Sequence, residues 1–254
     1  MSETHREILR AEHVTKRFGP VTAIEDITVS FYTHQITGIV GDNGAGKSTF
    51  VKIISGVEQP TSGQLFFEGR AVKFRSARDA RRTGIEAVHQ DLGLVESMSV
   101  VRNFFLGMEP CRGLLMDMRR MREEAERRLY EIGLRNLKSV DQDVARLSGG
   151  ERQAISIGRA IAFERKVLIL DEPTSALSVK ETQKVFDYMR NARQQGLAVL
   201  AIMHSMRQIL DIADRIVIFW HGRLIADLPN DGMDENVLAE YLHNGLPESA
   251  TIAT

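Results

Sequence analysis

The stretch Gly41-Asp42-Asn43-Gly44-Ala45-Gly46-Lys47-Ser48 predicts the fold of this chain. It matches the pattern G-x-x-x-x-G-K-[ST]. The apolar residues 36–40 before it favour a short buried strand, and residues from about 46 to 55 favour a helix. Glycines between a strand and a helix let backbone amides point towards a phosphate. The stretch therefore indicates a phosphate-binding loop in an α/β protein.

The residues of this loop have separate candidate roles. The backbone of Gly41, Asp42, Asn43, Gly44, Ala45 and Gly46 would wrap the phosphates of a nucleotide. The Lys47 ammonium would reach the β- and γ-phosphates, the Ser48 hydroxyl would bind Mg²⁺, and Thr49 would contact the α-phosphate. The alternative is a glycine turn that only starts a helix. The strand–loop–helix context favours phosphate binding.

Two adjacent acids, Asp171 and Glu172, follow the apolar segment 167–170. Such a segment is typical of a strand in a parallel sheet, and ligands of α/β proteins bind at the carboxyl ends of these strands. Neighbouring side chains at an extended end point in different directions. We therefore expect Asp171 to face Mg²⁺ through water, and Glu172 to act as general base on an attacking water. Without the glycine loop, a solvated turn before Pro173 would be the better interpretation.

The stretch Leu147-Ser148-Gly149-Gly150-Glu151 predicts another helix start. Ser148 and Glu151 have the spacing of a capping box, and the glycines expose amides where a phosphate could bind. A chain with one complete phosphate-binding loop does not obviously need a second such helix start. A dimer that holds nucleotide between its subunits does need one, so a second copy of the chain is a predicted partner.

Alternating strands and helices predict an α/β fold along most of the chain. Further strands are expected at 8–14, 24–31, 64–67, 85–88, 167–170, 197–203 and 215–219. From about 96 to 165 strand signals vanish, and residues 116–132 predict a long amphipathic helix. We expect one domain over 1–254, with its core at about 8–95 and 166–228, a helical subdomain at about 96–165, and a C-terminal helix and tail at 229–254.

Composition restricts the class of protein. The 254 residues are 43% hydrophobic and 26% charged, which is ordinary for a globular protein. The formal net charge of −1 gives no sign of a nucleic-acid partner, and none is expected. The single cysteine, Cys111, excludes an internal disulfide. The sequence contains no apolar run long enough to span a bilayer, so any link to a membrane is expected through another protein.

The order of the glycine loop, Gln90, LSGGE, Asp171-Glu172-Pro173 and His204 resembles the ATP-binding subunit of an ABC transporter. The resemblance covers about residues 9–228. It implies a P-loop NTPase core with a mixed β-sheet, an antiparallel β subdomain and an inserted helical subdomain. It also implies ATP and Mg²⁺ as cofactors.

The resemblance assigns roles to residues that would otherwise be unremarkable. It implies that Gln90 contacts Mg²⁺ and senses the γ-phosphate, and that His204 hydrogen-bonds the γ-phosphate and the Glu172 region. Phe18, otherwise a core aromatic, would stack on adenine. Ser148, Gly149 and Gly150 would bind the γ-phosphate held by the partner's loop. Ser178 stands where the family usually has an aspartate, which puts tight coupling of the two sites in doubt.

Three stretches resemble the carbohydrate-uptake branch of the family: GDNGAGKST, residues 88–107 and residues 173–186. They favour the ATP-hydrolysing, energy-coupling subunit of a monosaccharide importer. The implied setting is a homodimer on integral-membrane permease subunits, peripheral to the cytoplasmic face of the inner membrane, served indirectly by an extracytoplasmic solute-binding protein. Importers of other solutes and soluble ABC ATPases acting on DNA or ribosomes remain alternatives. A small-molecule kinase would leave LSGGE unexplained.

Overall fold

The computed structural model of the chain describes residues 5–88, 92–113, 115–135, 137–163, 165–175 and 177–245. The strands are β1 (Glu7–Phe18), β2 (Val21–Tyr32), β3 (Gln35–Val40), β4 (Ser62–Phe67), β5 (Arg70–Val72), β6 (Ile85–Val88), β7 (Cys111–Arg112), β8 (Leu115–Met116), β9 (Val167–Asp171), β10 (Ala198–Ile202), β11 (Arg215–Trp220) and β12 (Arg223–Pro229). The helices are α1 (Lys47–Ile54), α2 (Ala77–Thr83), α3 (Val100–Phe104), α4 (Met118–Glu131), α5 (Gly149–Ala162), α6 (Val179–Gln194), α7 (Met206–Ile212) and α8 (Glu235–Asn244).

The larger sheet is mixed, with the strand order β12-β11-β3-β10-β9-β6. Neighbouring strands are parallel except for the antiparallel pair of β11 and β12. A separate antiparallel sheet has the order β2-β1-β4-β5. The expected mixed sheet and antiparallel β unit are confirmed. Because β10 pairs with both β3 and β9, the carboxyl ends of these three strands meet at one edge.

Helix α1 is fixed between the two sheets by aromatic packing. The Phe50 ring lies 6.2 Å from that of Phe31 on β2 and 5.4 Å from that of Phe219 on β11, measured between centroids. All three side chains are fully buried. Burying each ring contributes about 1.5–3 kcal/mol to stability. The glycine loop therefore leads into a helix that is held from both sides.

The segment between β6 and β9 is mainly helical. Helices α3 and α5 meet at an aromatic cluster of Phe104, Phe105 and Phe163. The prediction that strands are missing from 96–165 is wrong, because β7 and β8 form a small antiparallel hairpin. Strands of two residues are too short to produce a period-two pattern, and Gly113 turns between them with a φ of 67°.

Two further strands escaped sequence analysis. β5 is only three residues long, and β12 lies at the edge of the larger sheet, where polar side chains interrupt the apolar pattern. Within the described ranges, the helices lack the combination of length and hydrophobicity needed to cross a bilayer. Residues 246–254, in the expected tail, lie outside the described residues.

Candidate nucleotide-binding site

The loop between β3 and α1 is packed so closely that two of its glycines have no room for a side chain. A Cβ on Gly41 would lie 2.4 Å from the carbonyl oxygen of Phe219. A Cβ on Gly46, the N-cap of α1, would lie 2.5 Å from Cγ2 of Ile24. Both distances are far inside van der Waals contact, so the loop can adopt this conformation only with glycine at these two positions.

Lys47 is folded back over this loop. Its side-chain Nζ donates hydrogen bonds to the carbonyl oxygens of Gly41, at 2.6 Å, and Asp42, at 3.0 Å. Burial lowers the pKa of Lys47, while the charges of Asp42, Asp171 and Glu172 act to raise it. An anion in the loop would offer the ammonium stronger, charge-assisted hydrogen bonds than these carbonyls do.

Glu172 follows β9 in an unusual backbone conformation. Its φ of 53° is left-handed, which is uncommon outside glycine. The turn is held by hydrogen bonds from the Glu172 amide to Ile202 O, at 2.9 Å, and from the Ser175 amide to Glu172 O, at 3.1 Å. Such backbone strain costs about 1–3 kcal/mol and is found most often at functional sites.

The Glu172 carboxylate meets His204, which lies just after β10. Glu172 Oε1 and His204 Nε2 are 2.6 Å apart, and the glutamate side chain is 25% exposed against 56% for the histidine. The two residues are far apart in sequence, but β9 and β10 are parallel neighbours. The structure thus joins the predicted base directly to the predicted phosphate-sensing histidine.

These groups line one cavity of about 430 Å³. Its walls include residues 43–49 of the loop, together with Asp171, Glu172 and His204. Small-molecule sites commonly have volumes of about 300–1,000 Å³. The phosphate loop, the two acids and the histidine, predicted from separate parts of the sequence, therefore share a space of the size that a nucleotide needs.

Sequence analysis missed part of the cavity wall. Residues 21–23, His221 and Gly222 also line it. The turn between β11 and β12 is pinned to the loop by a hydrogen bond of 3.1 Å from the Gly222 amide to Ala45 O. Positive φ angles at His221 and Gly222 are typical of a tight hairpin turn. The sequence contains a signal for the turn itself but not for its contact with the glycine loop.

Phe18 and Gln90 were also predicted at this site. Phe18 is the last residue of β1, is 47% exposed, and has the Nζ of Lys16 at 4.8 Å from its ring centroid. Phe18 does not line the cavity, but it pairs with Val21, which does. Gln90 lies outside the described residues, so its predicted contact with Mg²⁺ stays a prediction.

Ser148, Gly149 and Gly150, hereafter the signature turn, are not part of the wall of this cavity as described. They open α5 with the predicted capping box. The Ser148 amide donates to Glu151 Oε2 at 2.9 Å, and the Glu151 amide donates to Ser148 Oγ at 3.4 Å. The chain therefore has a well-formed second helix start that does not belong to its own phosphate cavity.

Comparison with known proteins identifies the family. A family model described as ABC transporter matches residues 24–175. This chain belongs to the ABC transporter family. The expected resemblance to its carbohydrate-uptake branch is confirmed by curated relatives. The xylose/arabinose import ATP-binding protein of Sulfolobus acidocaldarius is 40% identical over 219 residues, covering 86% of this chain and 87% of the relative. The fructose import ATP-binding protein of Rhizobium meliloti is 41% identical over 223 residues, covering 85% and 86%.

Other members of the ABC transporter family are longer. The ribose import ATP-binding protein of Rubrobacter xylanophilus is 37% identical over 237 residues, and the match spans 47% of its length.

Among solved structures, a nucleotide-free ATP-binding cassette has a TM-score of 0.77 at 25% identity, covering 92% of this chain and 96% of the cassette. A cassette in its ADP conformation has a TM-score of 0.79 at 25% identity, covering 94% and 96%. The fold is thus that of an ABC cassette.

The oxygen ligands available in the cavity fit a magnesium ion that is also coordinated by the phosphates of a nucleotide. Asp171 ends β9 at the cavity, and Ser48 lies there as an exposed hydroxyl at the start of α1. Within the described ranges no group of three or more His, Cys, Asp or Glu is arranged to hold a metal. Mg²⁺ at nucleotide sites usually takes one or two protein oxygens and completes its shell with phosphate and water. One hydroxyl and one carboxylate suit that mode of binding.

Proposed function

We propose that this chain is the ATP-hydrolysing, energy-coupling subunit of an ABC importer for a monosaccharide. The observation that carries the proposal is the Glu172–His204 pair, set beside Lys47 in one cavity with the glycine loop. Membership of the ABC family and relatives named for xylose/arabinose, fructose and ribose import support it.

The residues divide the chemistry of hydrolysis between them. Lys47 and the loop amides hold the terminal phosphates of ATP. The Glu172 carboxylate orients a water and takes its proton as the water oxygen bonds to the γ-phosphorus. The bond from that phosphorus to the β–γ bridging oxygen breaks, and ADP leaves with the oxygen. His204 contacts the Glu172 carboxylate and lines the same cavity, and it is proposed to hydrogen-bond the γ-phosphate as well.

Ser48, Asp171 and Gln90 are the residues proposed to hold Mg²⁺. When bound there, the ion neutralises phosphate charge and so lowers the electrostatic barrier to attack. Phe18 is proposed to stack on adenine, since it pairs with the cavity residue Val21.

The proposed active form is a dimer that sandwiches two nucleotides. The signature turn lies at a helix start, where backbone amides and the helix dipole favour an anion, and it is not among the residues that line the cavity of its own chain. In the dimer, the Ser148 hydroxyl and the amides of Gly149 and Gly150 meet the γ-phosphate held by the other copy. Each complete site then takes the glycine loop from one chain and the signature turn from its twin.

Complementation between two inactive variants tests this arrangement. Lys47→Ala disables the loop half and Ser148→Arg disables the signature half, so each homodimer should hydrolyse little ATP. In an equimolar mixture with random pairing, half of the dimers are mixed, and each mixed dimer has one intact site. About a quarter of all sites in the mixture are then intact, so the mixture should recover about a quarter of the native ATPase activity. A mixture as inactive as its components would refute the shared site.

The proposed partners are integral-membrane permease subunits, with a solute-binding protein acting indirectly, and the proposed location is the cytoplasmic face of the inner membrane. Affinity purification from detergent-solubilised membranes should recover a polytopic membrane protein. Recovery of ribosomes or DNA instead would favour the soluble alternative. Hydrolysis in the absence of any phosphate acceptor separates an ATPase from a small-molecule kinase. Uptake assays with a panel of labelled sugars and other solutes test the substrate class.

A further inference from the structure

The turn after β9 and the turn after β10 are joined by hydrogen bonds at more than one point. The Glu172 amide donates to Ile202 O at 2.9 Å, and Glu172 Oε1 lies 2.6 Å from His204 Nε2. A further hydrogen bond of 2.8 Å runs from the Thr174 hydroxyl to Oε1 of Gln208 on α7. Thr174 and Gln208 are not among the described residues that line the nucleotide cavity.

Gln208 is held on a helix that packs tightly against the larger sheet. It lies in the first turn of α7, where its amide donates to Oγ of the N-cap residue Ser205 at 3.3 Å. The next residue, Ile209, is fully buried, and a Cβ on Gly38 of β3 would lie only 2.4 Å from its Cγ1. Gln208 therefore has a fixed position relative to β3, the strand that leads into the glycine loop.

Thr174 is separated from Glu172 by a single residue, and that residue is a proline. Pro173 is buried, and its ring fixes φ at about −65°. The amide and the hydroxyl of Ser175 both donate to Glu172 O, at 3.1 Å and 3.0 Å, and so close the turn. A restraint on the Thr174 hydroxyl is therefore also a restraint on the backbone of Glu172.

The Glu172 turn needs a restraint from outside for two reasons. Its left-handed backbone, with a φ of 53°, persists only where the surrounding structure holds it. The side chains of Glu172 and His204 are both partly exposed, so packing alone does not fix their orientation. Misplacement of a reacting group by about 1 Å can lower a rate by about 100-fold. A relaxed turn would therefore slow a reaction that uses the Glu172 carboxylate.

We infer that Thr174 and Gln208 are positioning residues, which hold the turn of Glu172 so that its carboxylate stays on His204 and faces the nucleotide cavity. The inference rests on the proposed role of Glu172 as the base in ATP hydrolysis. Both residues act through the backbone of the turn and not on the nucleotide. Loss of their hydrogen bond should therefore lower kcat and leave the KM for ATP unchanged, since the glycine loop stays intact.

Three single substitutions test this role. Thr174→Val keeps the shape of the side chain without its hydroxyl, and Gln208→Met keeps its length without the amide. Each should lower kcat by about three- to tenfold, the range expected for one hydrogen bond between neutral groups. Thr174→Ser keeps the hydroxyl and should retain most of the native kcat. Arg207→Ala, an exposed neighbour on α7, is the matched control and should behave as the native chain.

A double variant separates one shared bond from two independent effects. If Thr174 and Gln208 act through their common hydrogen bond, combining Thr174→Val with Gln208→Met should lower kcat about as much as either change alone. Independent effects would instead multiply. Both kcat and KM are measured from ATP hydrolysis by the full chain without a phosphate acceptor, and thermal melts check that each variant is folded.

The possible results decide clearly. Native kcat in both the valine and methionine variants, a serine variant as slow as valine, or losses that multiply in the double variant would overturn the inference. A raised KM with unchanged kcat would do the same, because the bond would then serve nucleotide binding. If Thr174→Val does not fold, Gln208→Met and Thr174→Ser still have opposite expected results. Normal hydrolysis by Glu172→Gln, or none by the native chain, would instead overturn the proposed function.

Discussion

Replacing Gly46 with alanine should destabilise the protein much more than replacing Gly44, although both glycines belong to the same loop. Both have positive φ angles, 101° at Gly46 and 83° at Gly44. An alanine forced into such a conformation costs about 1–2 kcal/mol. This part of the cost is common to the two variants.

The surroundings of the added methyl group differ. At Gly44 it would meet no described atom within 4 Å. At Gly46 it would lie 2.5 Å from Cγ2 of Ile24 and 2.9 Å from the carbonyl oxygen of Ala23, so backbone must shift. Forcing extra atoms into packed structure adds about 1–3 kcal/mol. We therefore expect losses in the free energy of unfolding of about 1–2 kcal/mol for Gly44→Ala and about 2–5 kcal/mol for Gly46→Ala.

Urea denaturation at 25 °C measures these losses directly, and thermal melts provide a second measurement. At this chain length, 1 kcal/mol corresponds to about 2–4 °C in Tm. Equal destabilisation by the two substitutions would show that contact with β2 does not shape the loop. A Gly46→Ala protein as stable as the native one would refute the described packing altogether.

Three further substitutions test the site and its support. Glu172→Gln should keep ATP binding but lower the hydrolysis rate by about 10²–10⁴-fold. The ATP-loaded dimer should accumulate and be detected by size-exclusion chromatography with light scattering. Normal turnover would show that Glu172 is not the base. Lys47→Ala should weaken ATP binding by about 10–100-fold in calorimetry, since a charge-assisted hydrogen bond to phosphate is lost, and unchanged affinity would count against the loop assignment. Phe50→Ala should lower the free energy of unfolding by about 3–5 kcal/mol, because its ring fills the space between two sheets; a loss below 1 kcal/mol in urea denaturation would contradict that packing.

The strands and helices that were predicted correctly are those with a strong pattern in their own stretch of sequence. The strand β3, the glycine loop and α1 follow from a motif whose residues each restrict the backbone, and β3 and α1 differ from the prediction by only a residue or so at their ends. The 14-residue α4 follows from its apolar period. The strands β7 and β8 are too short to show a repeated signal, and polar side chains interrupt the apolar pattern of the edge strand β12.

The residues of the site could be predicted, but most of their arrangement could not be worked out from the residues alone. The contact of His204 with the Glu172 region was expected only from the family resemblance, because it depends on β9 and β10 being adjacent, which no spacing in the sequence states. The retraction of Lys47 onto two carbonyls depends on the shape of the closed loop. Likewise, the place of the His221 turn in the cavity wall results from sheet order, since β11 pairs with β3.

Because the backbone at Glu172 is left-handed, a substitution that increases thermal stability at this position can reduce catalysis. Glycine would adopt this conformation without penalty, yet it would remove the carboxylate that is proposed to act as the general base. A laboratory selection for heat resistance alone would therefore favour inactive chains at this position. A programme to stabilise this protein should therefore screen variants for ATP turnover as well as for melting temperature.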